Sequence, residues 1–377
     1  MKKYMLLVML LGACTTLHRT PVKDTTLPSI HSLTLLHKYI VPYNMPFNGT
    51  TVGGLSGIDY DSARKVYYLI CDDRSERQAA RFYTIQIPES NYDRDSIRFS
   101  RVTYLKTPNG NVYPSAKALA PDPEAMRYNP HTGRLVWSSE GERIISEQAN
   151  IINDPGIYDI DTIGRYLDSY PLPAQFHMHA TENGPRRNGV FEGLGFTPNG
   201  RHMFVSLEEP RYEDGPRADL RDTTAYTRII KYDLRTRQPI AQYAYKLEPV
   251  AHPSIPGNAF RVNGISDILV LSETQLLVME RSYSTGVKSN TIRVFKVDLQ
   301  HATDIKAVNS LRENPHFLPA QKSLLLNFDD LDTFVDNVEG MTFGPILPNG
   351  HRSLIFVVDN NFDKNEETQF YIFEVEQ

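Results

Sequence analysis

From about His31 onward the chain alternates short apolar runs with turns, and five segments repeat one pattern of hydrophobic and polar positions. They are "GGLSGIDYDSARKVYYLICDD", "DPEAMRYNPHTGRLVWSSEGE", "VFEGLGFTPNGRHMFVSLEEP", "GISDILVLSETQLLVMERS" and "NVEGMTFGPILPNGHRSLIFVVDNN". Each starts at a small or acidic residue, runs through an apolar stretch, turns, and runs through a second apolar stretch into acids. The aligned positions Ser56, Glu124, Glu192, Asp267 and Glu339 recur at intervals of 68, 68, 75 and 72 residues. The intervening turns, such as Pro198-Asn199-Gly200 and Pro348-Asn349-Gly350, carry residues that preset a bend or accept positive φ. The apolar stretches are rich in Val, Ile, Tyr and Phe, which suit pleated, half-buried strands.

Two further strand-like runs follow each of the first four pairs, for example "TRIIKYDL" and "IAQYAYKL" after the third. After the fifth pair only "QFYIFEVE" remains, and "HSLTLLHKYIVP" at residues 31–42 is the candidate for its missing partner. Four antiparallel strands per unit, with the two ends of the chain sharing one unit, predict an all-β fold. It is a β-propeller of five four-stranded blades whose N-terminal strand completes the last blade. Repeats this long leave room for six blades as the alternative. Long helical patterns are absent, which argues against α/β-hydrolase and Rossmann folds.

The first residues follow a different pattern. "MKKYMLLVMLLGAC" has two lysines, a short apolar stretch and small residues directly before Cys14. The stretch is too short for a membrane span and has the layout of a secretory signal. The small residues before the cysteine resemble the lipobox of bacterial lipoproteins, which implies cleavage before Cys14 and lipid attachment there. Residues 1–13 are therefore expected to be a lipoprotein signal peptide, residues 14–30 a polar tether, and residues 31–377 a single domain. The expected location is the cell envelope, with membrane contact through the lipid anchor only. Loss of Lys2 and Lys3 would take the net charge from −5 to −7. No basic cluster marks a nucleic-acid surface. Cys71 alone remains as a thiol, and its setting in "YYLICDD" reads as a packed core position.

Equivalent positions of a propeller converge on its axis. If the first strand of each blade starts at the central channel, Glu124, Glu192, Asp267 and Glu339 form one row at its mouth. The second strand runs back, so Glu140, Glu208, Glu280 and Asp359 form a second row beside it, with Asp72 and Asp73 in the first blade. Crowded carboxylates repel one another unless positive charge arrives, and oxygen-only donors suit Ca²⁺. Arg74, Arg187 and Arg281 stand near the same mouth and could bind phosphate oxygens in pairs. A second reading of the same residues stays open: each acid caps its own blade through backbone N–H groups, with Arg74 or Arg281 neutralising a neighbour. No G-x-S-x-G elbow, P-loop, H-E-x-x-H or EF-hand loop is present, and no residue stands out as nucleophile or general base.

The blocks "RRNGVFEGLGFTPNGRHMFVSLEEP", "NGISDILVLSETQLLVMERSYS" and "DNVEGMTFGPILPNGHRSLIFVVDNNF" resemble the bacterial phytase-like family, labelled "esterase-like activity of phytase". With the first two repeats the resemblance runs from about Gly53 to Phe373. It implies a β-propeller, export, phosphomonoester hydrolysis and, by analogy with alkaline propeller phytases, Ca²⁺ at an acidic mouth. The expected protein is a monomer that takes a small phosphorylated or anionic ligand. Two functions follow: a Ca²⁺-dependent phosphoesterase, or a non-catalytic propeller lipoprotein that binds a ligand or protein at the same mouth.

Overall fold

A computed structural model of the chain describes residues 29–89, 97–115, 119–222 and 224–377. The expected signal peptide and most of the expected tether, Cys14 included, lie outside the described residues. Five four-stranded antiparallel sheets form the blades. Blade one is Leu55–Asp61, Val66–Cys71, Arg81–Gln86 and Arg98–Tyr104, and blade two is Pro123–Asn129, Arg134–Ser139, Gly156–Ile160 and Tyr166–Ser169. Blade three is Phe191–Phe196, His202–Leu207, Tyr226–Asp233 and Pro239–Lys246, and blade four is Arg261–Val270, Gln275–Ser284, Thr291–Asp298 and Gln321–Asn327. Blade five takes Asn337–Ile346, Arg352–Asp359 and Thr368–Glu376 from the end of the chain and Ser32–Val41 from its start. Ser32 pairs with Glu376 and Val41 with Thr368, so the ends of the domain are closed within one sheet. The count is five, and the shared blade is the one expected.

Each blade's first strand contacts the first strands of its two neighbours, and blade five touches blade one, which closes the ring. Every first strand carries a bulge at the same place, skipping Ser56, Glu124–Ala125, Glu192, Ser266 and Glu339 in the pairing with its second strand. A bulge adds twist and re-aims a side chain. Here it turns one residue per blade toward the axis. The following residue faces the neighbouring strand at close quarters. A Cβ on Gly193 would lie 2.7 Å from the Ile268 nitrogen, and one on Gly57 would lie 2.9 Å from the Glu124 carbonyl. Glycine lets the strands approach.

The core lies between blades rather than in the channel. Leu277, Met279 and Val294 of blade four meet Met341, Phe356 and Phe373 of blade five, all fully buried. Cys71 is a buried free thiol among Leu55, Leu69 and Tyr83, as its apolar setting indicated. A polar plug crosses the channel beneath the mouth. Arg127 binds Asp267 at 2.6 and 2.7 Å and donates to the carbonyls of Ile58, Ile268 and Met341. Asp267 also accepts from the Met341 amide at 2.8 Å. One ion pair thus ties blades one, two, four and five.

Candidate functional site

Three of the bulged residues, Glu124, Glu192 and Glu339, and residues at the ends of the second strands line a cavity of about 540 Å³ on the axis. Its charge is strongly one-sided. Three groups of carboxylates place their oxygens within 4.8 Å of one another: Asp72, Glu339 and Asp359; Asp122, Glu124 and Glu140; and Glu140, Glu192 and Glu208. The first group joins blades one and five. The other two share Glu140 and join blades two and three. Together they hold eight carboxylates, against the guanidiniums of Arg74 and Arg281 in the same cavity.

Three carboxylates placed in the mouth by sequence spacing lie elsewhere. Asp73 turns away to pair with Arg81 at 2.8 Å and accepts from the Glu76, Arg77 and Gln78 amides. Asp267 is one residue past the bulge, where the other blades carry Gly57, Ala125, Gly193 and Gly340. Its side chain therefore reaches across the ring to Arg127 in the plug, and the bulge position of blade four is Ser266. Glu280 is likewise one residue early. It pairs with Ile265, whereas Arg281 pairs with Gly264. The Asp72 and Glu208 amides donate to the residues at the equivalent position, Gly54 and Val190. Glu280 instead accepts from the Tyr245 hydroxyl at 2.7 Å, the Asn263 amide at 2.6 Å and Lys322 at 2.6 Å, on the other face of its strand. Blade four thus contributes serine and arginine where blades two, three and five contribute glutamate or aspartate. Glu124, Glu140, Glu192, Glu208, Glu339 and Asp359 do converge.

The arginines are engaged by acids. Arg281 lies 3.0 Å from Glu208 and 3.7 Å from Glu339, and donates to Asn337 at 2.8 Å. It bridges blades three and five. Arg74 pairs with Asp122 at 2.5 Å and Glu142 at 3.3 Å. Arg187 holds both oxygens of Glu142, at 2.5 and 3.1 Å, and is half exposed at the rim. Glu140 accepts from the Val190 amide at 2.6 Å, but that amide opens blade three, so Glu140 caps its neighbour rather than its own blade. The capping reading fails for others as well. Among the described residues, no hydrogen bond favours the charged form of Glu124 or Glu192. Asp359 is fully buried with neither oxygen in a well-formed hydrogen bond, the Asn361 amide giving only weak support.

Protonation follows from this imbalance. Burial, then the charge of Glu339, pushes Asp72 up to about 7. Burial and neighbouring acids raise Glu124, Glu192 and Asp359 well above the usual carboxylate range. Burial also lifts Asp122 and Glu208 well above it although Arg74 and Arg281 oppose, and it lifts Glu140 and Glu339. Glu142 shows the contrast: burial raises it, but the Arg187 hydrogen bonds outweigh that and hold it low. Eight acids in this space need protons or a cation to coexist.

The donor set fits a hard divalent cation. It is all carboxylate oxygen, with no histidine or cysteine in any of the three groups. Oxygens bound to one Ca²⁺ ion stand at most about 5 Å apart, and those of each group lie within 4.8 Å of one another. Unpartnered buried oxygens such as those of Asp359 are what an ion would satisfy. The repeat comparison did not single out Asp122, which lines the mouth, or Glu142, which pairs with Arg74 and Arg187 beside it. Asp122 occupies a position held by Gly54, Val190, Gly264 and Asn337 in the other blades, so repetition gives it no signal. Glu142 begins the hairpin Glu142–Ile145 with Asn150–Asn153, which only blade two inserts at this point among the described residues.

No curated protein matches the chain. Similar solved structures include an endo-arabinase from Bacteroides thetaiotaomicron, at 11% identity, 89% of this chain, 98% of that chain and a TM-score of 0.42. A GH43 β-1,3-galactosidase is similar at 10% identity, with 89% and 94% coverage and a TM-score of 0.47. The periplasmic gluconolactonase of Pseudomonas aeruginosa is similar at 10% identity, with 87% and 86% coverage and a TM-score of 0.37. The family profile described as phytase-like, esterase-like activity of phytase, matches residues 50–362, and the chain belongs to that family.

Proposed function

We propose that the axial mouth is a Ca²⁺ centre and that the protein is an exported, metal-dependent phosphoesterase. The observation that carries this reading is the convergence of eight carboxylates, seven buried and Asp72 half-buried, three of which lack a donor strong enough to hold their charge. Glu140, Glu192 and Glu208 would hold a cation between blades two and three, and Asp72, Glu339 and Asp359 one between blades five and one. Bound Ca²⁺ supplies Lewis-acid polarisation of a phosphoryl oxygen and of a water molecule. Arg281 and Arg74 are spent on carboxylates in the cation-free protein. Once those carboxylates turn to a cation, the freed guanidinium N–H groups can donate to the remaining oxygens of a small phosphorylated ligand. Export and lipid anchoring at Cys14 would place this chemistry at the cell envelope.

A second reading has its own support. Among the described residues the cavity lining includes no serine, threonine, histidine, cysteine or lysine, and the bulge serines Ser56 and Ser266 are buried and not part of it, so the lining offers no evident nucleophile or imidazole base. A non-catalytic Ca²⁺-binding propeller that captures a ligand or protein would need none. Phosphate release from phenyl phosphate and from inositol hexakisphosphate, measured with Ca²⁺ and with chelator, separates the two. Turnover that requires Ca²⁺ and is lost in Glu192→Gln supports the phosphoesterase. Ca²⁺ binding without turnover of either ester favours the binding protein.

A further inference from the structure

The mouth is not acidic all round. Blade four's first two strands are ten residues each, against seven and six in blade one. Their pairing continues past Gly264–Arg281 through Asn263–Ser282, Val262–Tyr283 and Arg261–Ser284. The hairpin therefore rises above the acidic floor as a wall. Strand alternation puts Tyr283 on the same face as Arg281, with Val262 opposite Tyr283 and Phe260 one step beyond. All four side chains line the cavity. Phe260 is 53% exposed, its ring 6.1 Å from that of Tyr283 and tilted by 39°. Arg217 sits over Phe260 at 5.6 Å while paired with Glu209 at 2.6 Å, which fixes the ring at the rim. A single exposed phenyl is ordinary on a protein surface. A phenyl, a phenol and a valine stacked along one wall of a cavity otherwise built from acids, arginines and asparagines are not placed there by core packing.

We infer that Phe260, Val262 and Tyr283 form a specificity subsite that packs the organic group of the ligand, selecting oxyanion esters with an aromatic or flat apolar group over uniformly hydrophilic polyanions. The inference rests on the proposed Ca²⁺ centre, which would bind the oxyanion end at the floor. An aromatic ring on this wall removes apolar surface on both partners from water and can take the offset geometry that Phe260 and Tyr283 already share. A polyanion with charge on every side would have to desolvate a phosphate against the same rings, where the Tyr283 hydroxyl is one donor against several charged oxygens.

The test compares phenylphosphonate with methylphosphonate, which carry the same anionic head and resist ester hydrolysis. Calorimetry on the Ca²⁺-loaded full chain should show phenylphosphonate binding about tenfold tighter, the scale of one aromatic contact. Phe260→Ala should reduce that ratio to about two or less and leave Ca²⁺ affinity unchanged, and Phe260→Tyr should restore it. Ca²⁺ binding with equal affinity for the two phosphonates, or a preference that survives in Phe260→Ala, overturns the subsite and leaves the cation centre standing. Failure of Ca²⁺ to bind overturns both.

Discussion

Replacing Arg281 with glutamine removes the cation that bridges Glu208 of blade three and Glu339 of blade five. At 3.0 and 3.7 Å and an effective dielectric constant near 20, each contact contributes about 5 kcal/mol before desolvation. Burial of the guanidinium offsets much of this, and loss of one partner from a buried pair costs about 3–5 kcal/mol. In a domain of this size that is a fall of roughly 4–7 °C in Tm. The melting curve should be recorded at pH 8 in chelator, so that protonation of the orphaned acids does not compensate. Ca²⁺ should then act in the opposite direction. The variant lacks a positive charge that competes for the same carboxylates, so it should bind Ca²⁺ more tightly than the wild type. Binding to the folded state stabilises by RT ln(1 + [L]/Kd), about 2.7 kcal/mol at a hundredfold excess over Kd. The Ca²⁺-induced rise in Tm should therefore be larger in Arg281→Gln than in the wild type. A variant as stable as wild type in chelator, or one that Ca²⁺ lifts less, would refute the reasoning.

Three further outcomes follow. The mouth acids titrate above their unfolded values, so the folded protein holds more protons between about pH 4 and the raised values, and its stability falls as pH rises through that window. Metal-free Tm should drop from pH 5 to pH 8 and Ca²⁺ should reverse the drop; a metal-free Tm that rises over that range contradicts the assignment. Asp267→Ala leaves Arg127 buried without its partner and should cost about 3–5 kcal/mol in denaturant unfolding, while adding Arg127→Met should recover part of the loss; additive losses would mean the plug is not a coupled pair. Cys14→Ser should abolish incorporation of labelled palmitate, and a variant that still takes up label places the anchor elsewhere.

The architecture was legible because each blade writes the same strand, turn and strand into the chain. Gly200 and Gly350, at φ of +66° and +89°, close the turns that the Pro-Asn-Gly stretches indicated, and Gly133, at +69°, closes the corresponding turn of blade two. Closure by Ser32–Val41 was legible because the fifth repeat lacked a strand and the start of the domain had one to spare. The mouth was legible only to within one residue. "GISDILV" offers Ser266 and Asp267 side by side, and spacing alone chose the acid; the bulge chose the serine. "VMERS" offered Glu280 and Arg281 in the same way, and register put the arginine at the mouth. A strand reverses the face of a side chain with each residue, so an offset of one moves a charge out of the site altogether. The plug was beyond reach for another reason. Arg127 and Asp267 are 140 residues apart, and nothing in either segment alone announces the other.

The central claim is that the axial carboxylates bind Ca²⁺, and calorimetric titration of Ca²⁺ into metal-stripped protein at pH 8 tests it most directly. Saturable binding is expected, with Glu192→Gln weakening it through the blade two and three group and Asp359→Asn through the blade five and one group. Millimolar Ca²⁺ should raise the wild-type Tm in parallel. No heat of binding and no shift in Tm would show that protons and arginines alone balance the mouth, and the Ca²⁺ centre would be wrong.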